Sequence, residues 1–140
     1  MYQVKNPAFV ERARRLCDEA PFIVHLGMKL LRVEPGRVES ALTPRPYHLQ
    51  QDGVVHAGVL TSIADHTAGA AAGTLIEAHQ SVVTSELKIH LLRPARGPLV
   101  CTATVLKAGR LFSIVESEVR VAGALIAKLI GTLVIVDGVL

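Results

Sequence analysis

The chain has 140 residues, half of them hydrophobic, only 19% charged and 4% aromatic. That balance fits one domain with a sizeable core of Leu, Val, Ile and Ala, excludes a disordered chain, and suggests that some apolar surface is buried between subunits. The net charge of +3 is spread without a basic run or an aromatic platform, which argues against nucleic acid and suits a small anionic molecule.

Asn6-Pro7 predicts a helix start, with Asn6 as N-cap and Pro7 at the first position, and the helix runs to about Glu19. No apolar run follows a basic patch at the N-terminus and no stretch of about 20 residues lacks a charge, so neither a signal peptide nor a membrane span is expected. Cys17 and Cys101 are far apart and without zinc-type spacing, which reads as two reduced thiols in a cytoplasmic protein. Pro21 and Gly27 punctuate a turn. Met28–Glu34 and Arg37–Thr43 read as a hairpin about Pro35-Gly36. Pro44, Pro46 and Gly53 mark a loop of about ten residues, a length that is often functional.

A long helix is predicted over roughly His56 to Glu77. Leu60, Ala64, Thr67, Ala71 and Leu75 form the stripe that faces a sheet. Gly58, Ser62, Asp65, Gly69 and Ala72 form a neighbouring stripe of small residues around one carboxylate, where a second backbone or a ligand can come close. Strands follow at Val82–Leu92, Leu99–Lys107, Leu111–Val121 and Leu125–Val136, joined by turns and read as an antiparallel meander. The expected fold is α+β: a five- or six-stranded antiparallel sheet wrapped around one long helix, the hotdog shape. Residues 1–140 form one domain, with 1–27 a helical segment and 28–137 the core.

The segment from His56 to Asp65 carries the chemistry. Small residues at a helix start leave N–H groups free to hold an anion or oxyanion. A lone Asp on the same helix suggests acid/base or nucleophilic work. His56 and Asp65 lie about 900° of rotation apart and cannot form a dyad in one chain. His56 reads best as a helix-capping or loop-bonding histidine. The plain alternative for Asp65 is a bond to a nearby hydroxyl such as Thr61 or Ser62. No His-Glu-x-x-His occurs, and His56 and His66 do not share a helix face, so no metal is expected. Ser62 lacks the turn of a serine hydrolase. No phosphate loop is present.

Gln50-Gln-Asp-Gly-Val-Val-His56-Ala-Gly58, leading to Asp65, resembles the hotdog acyl-CoA thioesterases of the phenylacetate-pathway type. Their signature is a polar amide, a Gly, then His-Gly-Gly, and a catalytic Asp or Glu nine residues after the His. Val83-Thr-Ser-Glu86 through Arg93-Pro94-Ala95, and the turn Gly109-Arg110, are similar to later family segments. Ala57 replaces the first Gly of that signature, and Gln50 stands where many relatives carry Asn.

The resemblance implies hydrolysis of a small aryl- or fatty acyl-CoA. Asp65 would be base or nucleophile, the N–H groups of Ala57 and Gly58 an oxyanion hole, and Gln50 an orienting group. His56 and Thr84 would adjoin the substrate, and Arg93, Lys107 and Arg110 are candidates for the coenzyme A phosphates, though solvated charge is an equal reading of each. No cofactor is implied, since coenzyme A belongs to the substrate. Ala57 and Asp65 are eight residues apart, about 12 Å along one helix. One carbonyl carbon cannot touch both, and the resemblance offers a site shared between subunits of a dimer or a dimer of dimers. Two alternatives stand. A hotdog dehydratase needs a dyad where this chain has Leu49 and Ile63. A non-catalytic acyl-CoA-binding module would need the cleft but not Asp65.

Overall fold

A computed structural model describes residues 2–138; Met1, Val139 and Leu140 of the expected domain lie outside the described residues. Helices α1 (Phe9–Glu19) and α2 (Pro21–Leu26) lead into strands β1 (Lys29–Glu34) and β2 (Arg37–Leu42). A 3-10 turn at Pro46–His48 precedes α3 (Ala57–Gly73), and β3 (Gln80–Leu91), β4 (Leu99–Ala108), β5 (Phe112–Val121) and β6 (Ala124–Asp137) complete the chain. The six strands form one antiparallel sheet in the order β1-β2-β4-β5-β6-β3, and α3 packs against β2 through β6. The expected α+β hotdog shape is therefore the one observed. No helix among the described residues is long and apolar enough to cross a membrane.

The predicted core stripe is buried along its whole length, Leu60, Ala64, Thr67 and Ala71 on α3 and Leu75 just beyond its end. Hydroxyls pin the helix to the sheet beneath. Thr67 Oγ1 donates to the Ile63 carbonyl at 2.6 Å and so accepts from Ser40 Oγ at 2.6 Å. Ser117 Oγ donates to the Ala64 carbonyl at 2.9 Å. Such bonds satisfy polar groups that burial would otherwise leave unmet.

Four expectations are corrected. The first helix begins at Phe9 rather than Pro7, because the Asn6 carboxamide and carbonyl bond the Ala8 and Phe9 N–H groups as a turn. The stretch between Pro21 and Gly27 is a short helix, with Pro21 at its first position and Gly27 left-handed at its end (φ 77°). The long helix stops at Gly73, since Thr74 Oγ1 bonds back to the Ala71 carbonyl and accepts the Gly36 N–H, both at 2.7 Å.

The last correction concerns the meander. Only β4, β5 and β6 form one; β3 crosses over and pairs with β6, so it lies at the sheet's edge. Leu92 to Pro98 is therefore a crossover and not a hairpin turn. A bulge between Thr84 and Glu86 shifts the alternation of β3. Val82 and Thr84 share the inner face before it, and Leu87, Ile89 and Leu91 after it, opposite Gly131, Leu129 and Ala127.

Candidate active site

The start of α3 is built on a braced loop. Gln50 accepts the Gly53 N–H on its carbonyl (3.0 Å) and gives its own N–H to Val54 (2.9 Å), and its side-chain oxygen accepts the Asp52 N–H. Gly53 supplies the positive φ of 74° that this turn requires. Arg96 clasps the turn from outside, donating to the carbonyls of Gly53 (3.0 Å) and Asp52 (3.4 Å). His48 braces it from inside. Its ring is 1% exposed, Nδ1 accepts the Arg45 N–H at 3.0 Å, and its carbonyl accepts the His56 N–H at 2.8 Å. Burial first, then the charges of Arg45 and His25, push the His48 pKa down, so the ring is held neutral. Sequence reasoning singled out neither Arg96 nor His48, because both act through backbone contacts that leave no local pattern.

His56 is the N-cap of α3. Its Nδ1 accepts the Gly58 N–H at 2.9 Å, so the capping expectation holds and the proton of the neutral ring sits on Nε2. The Gly58 N–H is thereby occupied. Among the described residues the Ala57 N–H meets no acceptor and is the ready donor at the helix start. Gln50, His56, Ala57 and Arg93 line one cleft of about 440 Å³. Arg93 also donates to the Leu125 carbonyl at 2.8 Å.

Asp65 lies eight residues further along α3, partly buried, and accepts a hydrogen bond from Thr84 Oγ1 at 2.8 Å. The hydroxyls of the plain alternative do not hold it: Thr61 and Ser62 bond back to the carbonyls of Ala57 (2.9 Å) and Gly58 (2.7 Å). The bulge after Thr84 leaves that threonine on the inner face, where its hydroxyl reaches Asp65.

One chain thus holds two separate clusters, Gln50–His56–Ala57–Arg93 at the helix start and Asp65–Thr84 at its middle. Lys107 and Arg110 join neither. Lys107 lies over the Phe112 ring at 5.5 Å, and Arg110 lines a groove with Tyr2, Lys5, Leu75 and Gln80. That groove is at the opposite end of α3, about 25 Å from Ala57 along the axis.

The family model described as the thioesterase superfamily matches residues 52–127. A Saccharolobus solfataricus protein named as a provisional esterase is 37% identical over 109 residues, covering 76% of this chain and 77% of its own. A thioesterase family protein from Silicibacter pomeroyi is 29% identical with a TM-score of 0.88, over 93% of this chain and 99% of that one. The E. coli PaaI protein from the phenylacetic acid degradation operon shares the fold at 21% identity, with a TM-score of 0.86 over 93% of this chain and 94% of its own. Both clusters fall largely within the matched residues, and the chain belongs to the thioesterase superfamily, whose chemistry is thioester hydrolysis.

Proposed function

We propose that this chain hydrolyses acyl-CoA thioesters in a site completed by a second copy of itself, in the cytoplasm. The Asp65–Thr84 pair carries the reading. A carboxylate sits mid-helix, aimed by a hydroxyl of the edge strand, with one oxygen bonded at 2.8 Å and the other left for chemistry. As base, Asp65 takes a proton from water while the water oxygen attacks the thioester carbonyl carbon. As nucleophile, it attacks that carbon itself and forms a mixed anhydride, which water then cleaves. In both routes the carbonyl oxygen becomes an oxyanion, and the coenzyme A thiolate leaves and takes up a proton. The Ala57 N–H receives the oxyanion, and the Gly58 N–H joins it once the exposed His56 ring turns away. Gln50 orients the water or carboxylate with its free amide N–H.

The edge strand supports a shared site. The twelve residues of β3 leave one side of the sheet unpaired, with Val83, Leu87 and Leu91 exposed along it. A long edge of this kind is a template for pairing with another chain. Strand β3 runs antiparallel to α3, its Leu91 end beside Ala57 and its Gln80 end beside Gly73. The proposed two-fold pairing of this edge with a second copy brings the partner's Ala57 to Asp65. Lys107 and Arg110, with the partner's Arg93, are the cations proposed for the coenzyme A phosphates.

Thiol release from aryl- and fatty acyl-CoAs tests the reading. Wild-type protein hydrolyses at least one class, and Asp65→Asn loses about 10²-fold or more. Equal rates in both would move the chemistry away from Asp65. Tight acyl-CoA binding by both without hydrolysis would make the chain a binding module.

A further inference from the structure

Pro44 and Pro46 stand on either side of Arg45. Each fixes its own φ and restricts the residue before it, and Arg45 is extended (φ −113°, ψ 166°). The chain that leaves β2 is therefore stiff at this point. His48 grips it twice. Its N–H donates to the Arg45 carbonyl at 2.9 Å, and its ring Nδ1 accepts the Arg45 N–H at 3.0 Å. The His48 carbonyl in turn accepts the His56 N–H at 2.8 Å. The next N–H along the chain is that of Ala57, the donor proposed for the oxyanion. One ring and one backbone hydrogen bond thus link the end of β2 to that donor.

The histidine comes at a cost. Because Nδ1 accepts, the proton of the neutral ring sits on Nε2. Nε2 is buried and, among the described residues, is the one buried side-chain N or O atom without a hydrogen-bond partner. An unmet buried donor destabilises a fold. An apolar ring would pack there without that penalty, and a short polar side chain would serve the turn. Histidine alone fills the space, meets the Tyr47 ring edge-on at 4.3 Å and offers a ring acceptor to Arg45.

A second proton would end the grip, since Nδ1–H would then face the Arg45 N–H. Arg45 and Tyr47 on its own turn and His25 on α2 are the charged or titratable groups that face the ring, and His56 turns its own Nδ1 to the Gly58 N–H instead. Burial and the charges of Arg45 and His25 oppose that proton.

We infer that His48 is a positioning residue for the oxyanion donor: its neutral ring, through Arg45 and the His56 N–H, sets where the Ala57 N–H points. The inference rests on the thioesterase reading above.

The test is kcat and KM for wild type, His48→Phe and His48→Asn between pH 8 and 5. Phe keeps the ring contact and loses the acceptor. Asn keeps an acceptor oxygen and does not titrate. At pH 8, His48→Phe lowers kcat about tenfold with KM within about twofold, and His48→Asn recovers most of the loss. Below the ordinary histidine value of 6.5, wild type loses rate through the ring as well as through Asp65, so His48→Asn keeps a larger share of its pH 8 rate at pH 5. Full kcat in a folded His48→Phe protein, or parallel acid losses in wild type and His48→Asn, overturns the inference. If His48→Phe does not fold, the His48→Asn profile decides. Amide exchange needs no substrate: the His56 N–H exchanges about tenfold faster in folded His48→Phe than in wild type, and equal protection overturns the inference. Faster exchange in a chain that hydrolyses nothing would uphold the linkage and sink only the thioesterase reading.

Discussion

Asp65 owes its aim to a residue nineteen positions away, Thr84, and not to the hydroxyls of its own helix. Thr84 is a positioning residue on this account. Thr84→Val keeps the shape and removes the bond, so kcat falls about tenfold while KM changes little, because a misaimed group costs rate before affinity. Thr84→Ser restores most of the loss, and steady-state kinetics on the three proteins check it. A Val variant with full kcat would mean that the bond merely satisfies the carboxylate. The residues of the motif, His56, Ala57, Gly58 and Asp65, were legible in the sequence because small residues and a lone Asp on one helix are a local pattern. The partner of Asp65 was not, since the bulge beside Thr84 in the edge strand, which no local pattern announces, decides which face Thr84 takes. The bond from Gly58 to His56 Nδ1 was legible only as far as a capping histidine, because a rotamer decides which N–H it takes.

At the scale of elements, alternation and turn residues located every strand to within about two residues, in line with the general reach of periodic patterns. Pairing was harder. Nothing local to β3 says that it joins β6 rather than β4; that choice closes the sheet over α3 and is made by the whole core. The β5–β6 hairpin turns on Ala122 and Gly123, with φ of 47° and 82°, both left-handed. Two such residues make the two-residue turn that matches strand twist, and Asn-Gly is its preferred pair. A left-handed alanine costs about 1 kcal/mol. Ala122 is exposed, so Ala122→Asn raises stability by about that amount with no other contact changed. Urea unfolding checks it, with the midpoint moving up at constant slope.

For the whole molecule, acid is the weak side. Burial pushes the His66 pKa down, against the opposing pull of its bond to the Leu16 carbonyl (2.8 Å) and of Asp65, and His48 is pushed the same way. Both are neutral in the fold, while the unfolded chain takes up these protons near pH 6.5, the ordinary histidine value. The unfolded state thus binds more protons, and stability falls as pH drops below about 6.5 towards the depressed folded values. His66→Gln keeps a donor for Leu16 and removes the titration, so thermal unfolding between pH 7 and 5 loses part of its slope; an unchanged slope would clear His66. The central claim concerns two chains at once. Ala57 is the first residue of α3 and His56 before it is extended (φ −62°, ψ 140°), so Ala57→Pro removes the N–H while both backbones tolerate proline. The most direct measurement is the thioesterase activity of co-expressed Asp65→Asn and Ala57→Pro chains, each nearly inactive alone. The account predicts recovery of about a quarter of wild-type activity, since half of randomly paired dimers are mixed and each mixed dimer holds one intact site. No recovery from well-folded mixed dimers would contradict a site built from Asp65 of one chain and the helix start of another.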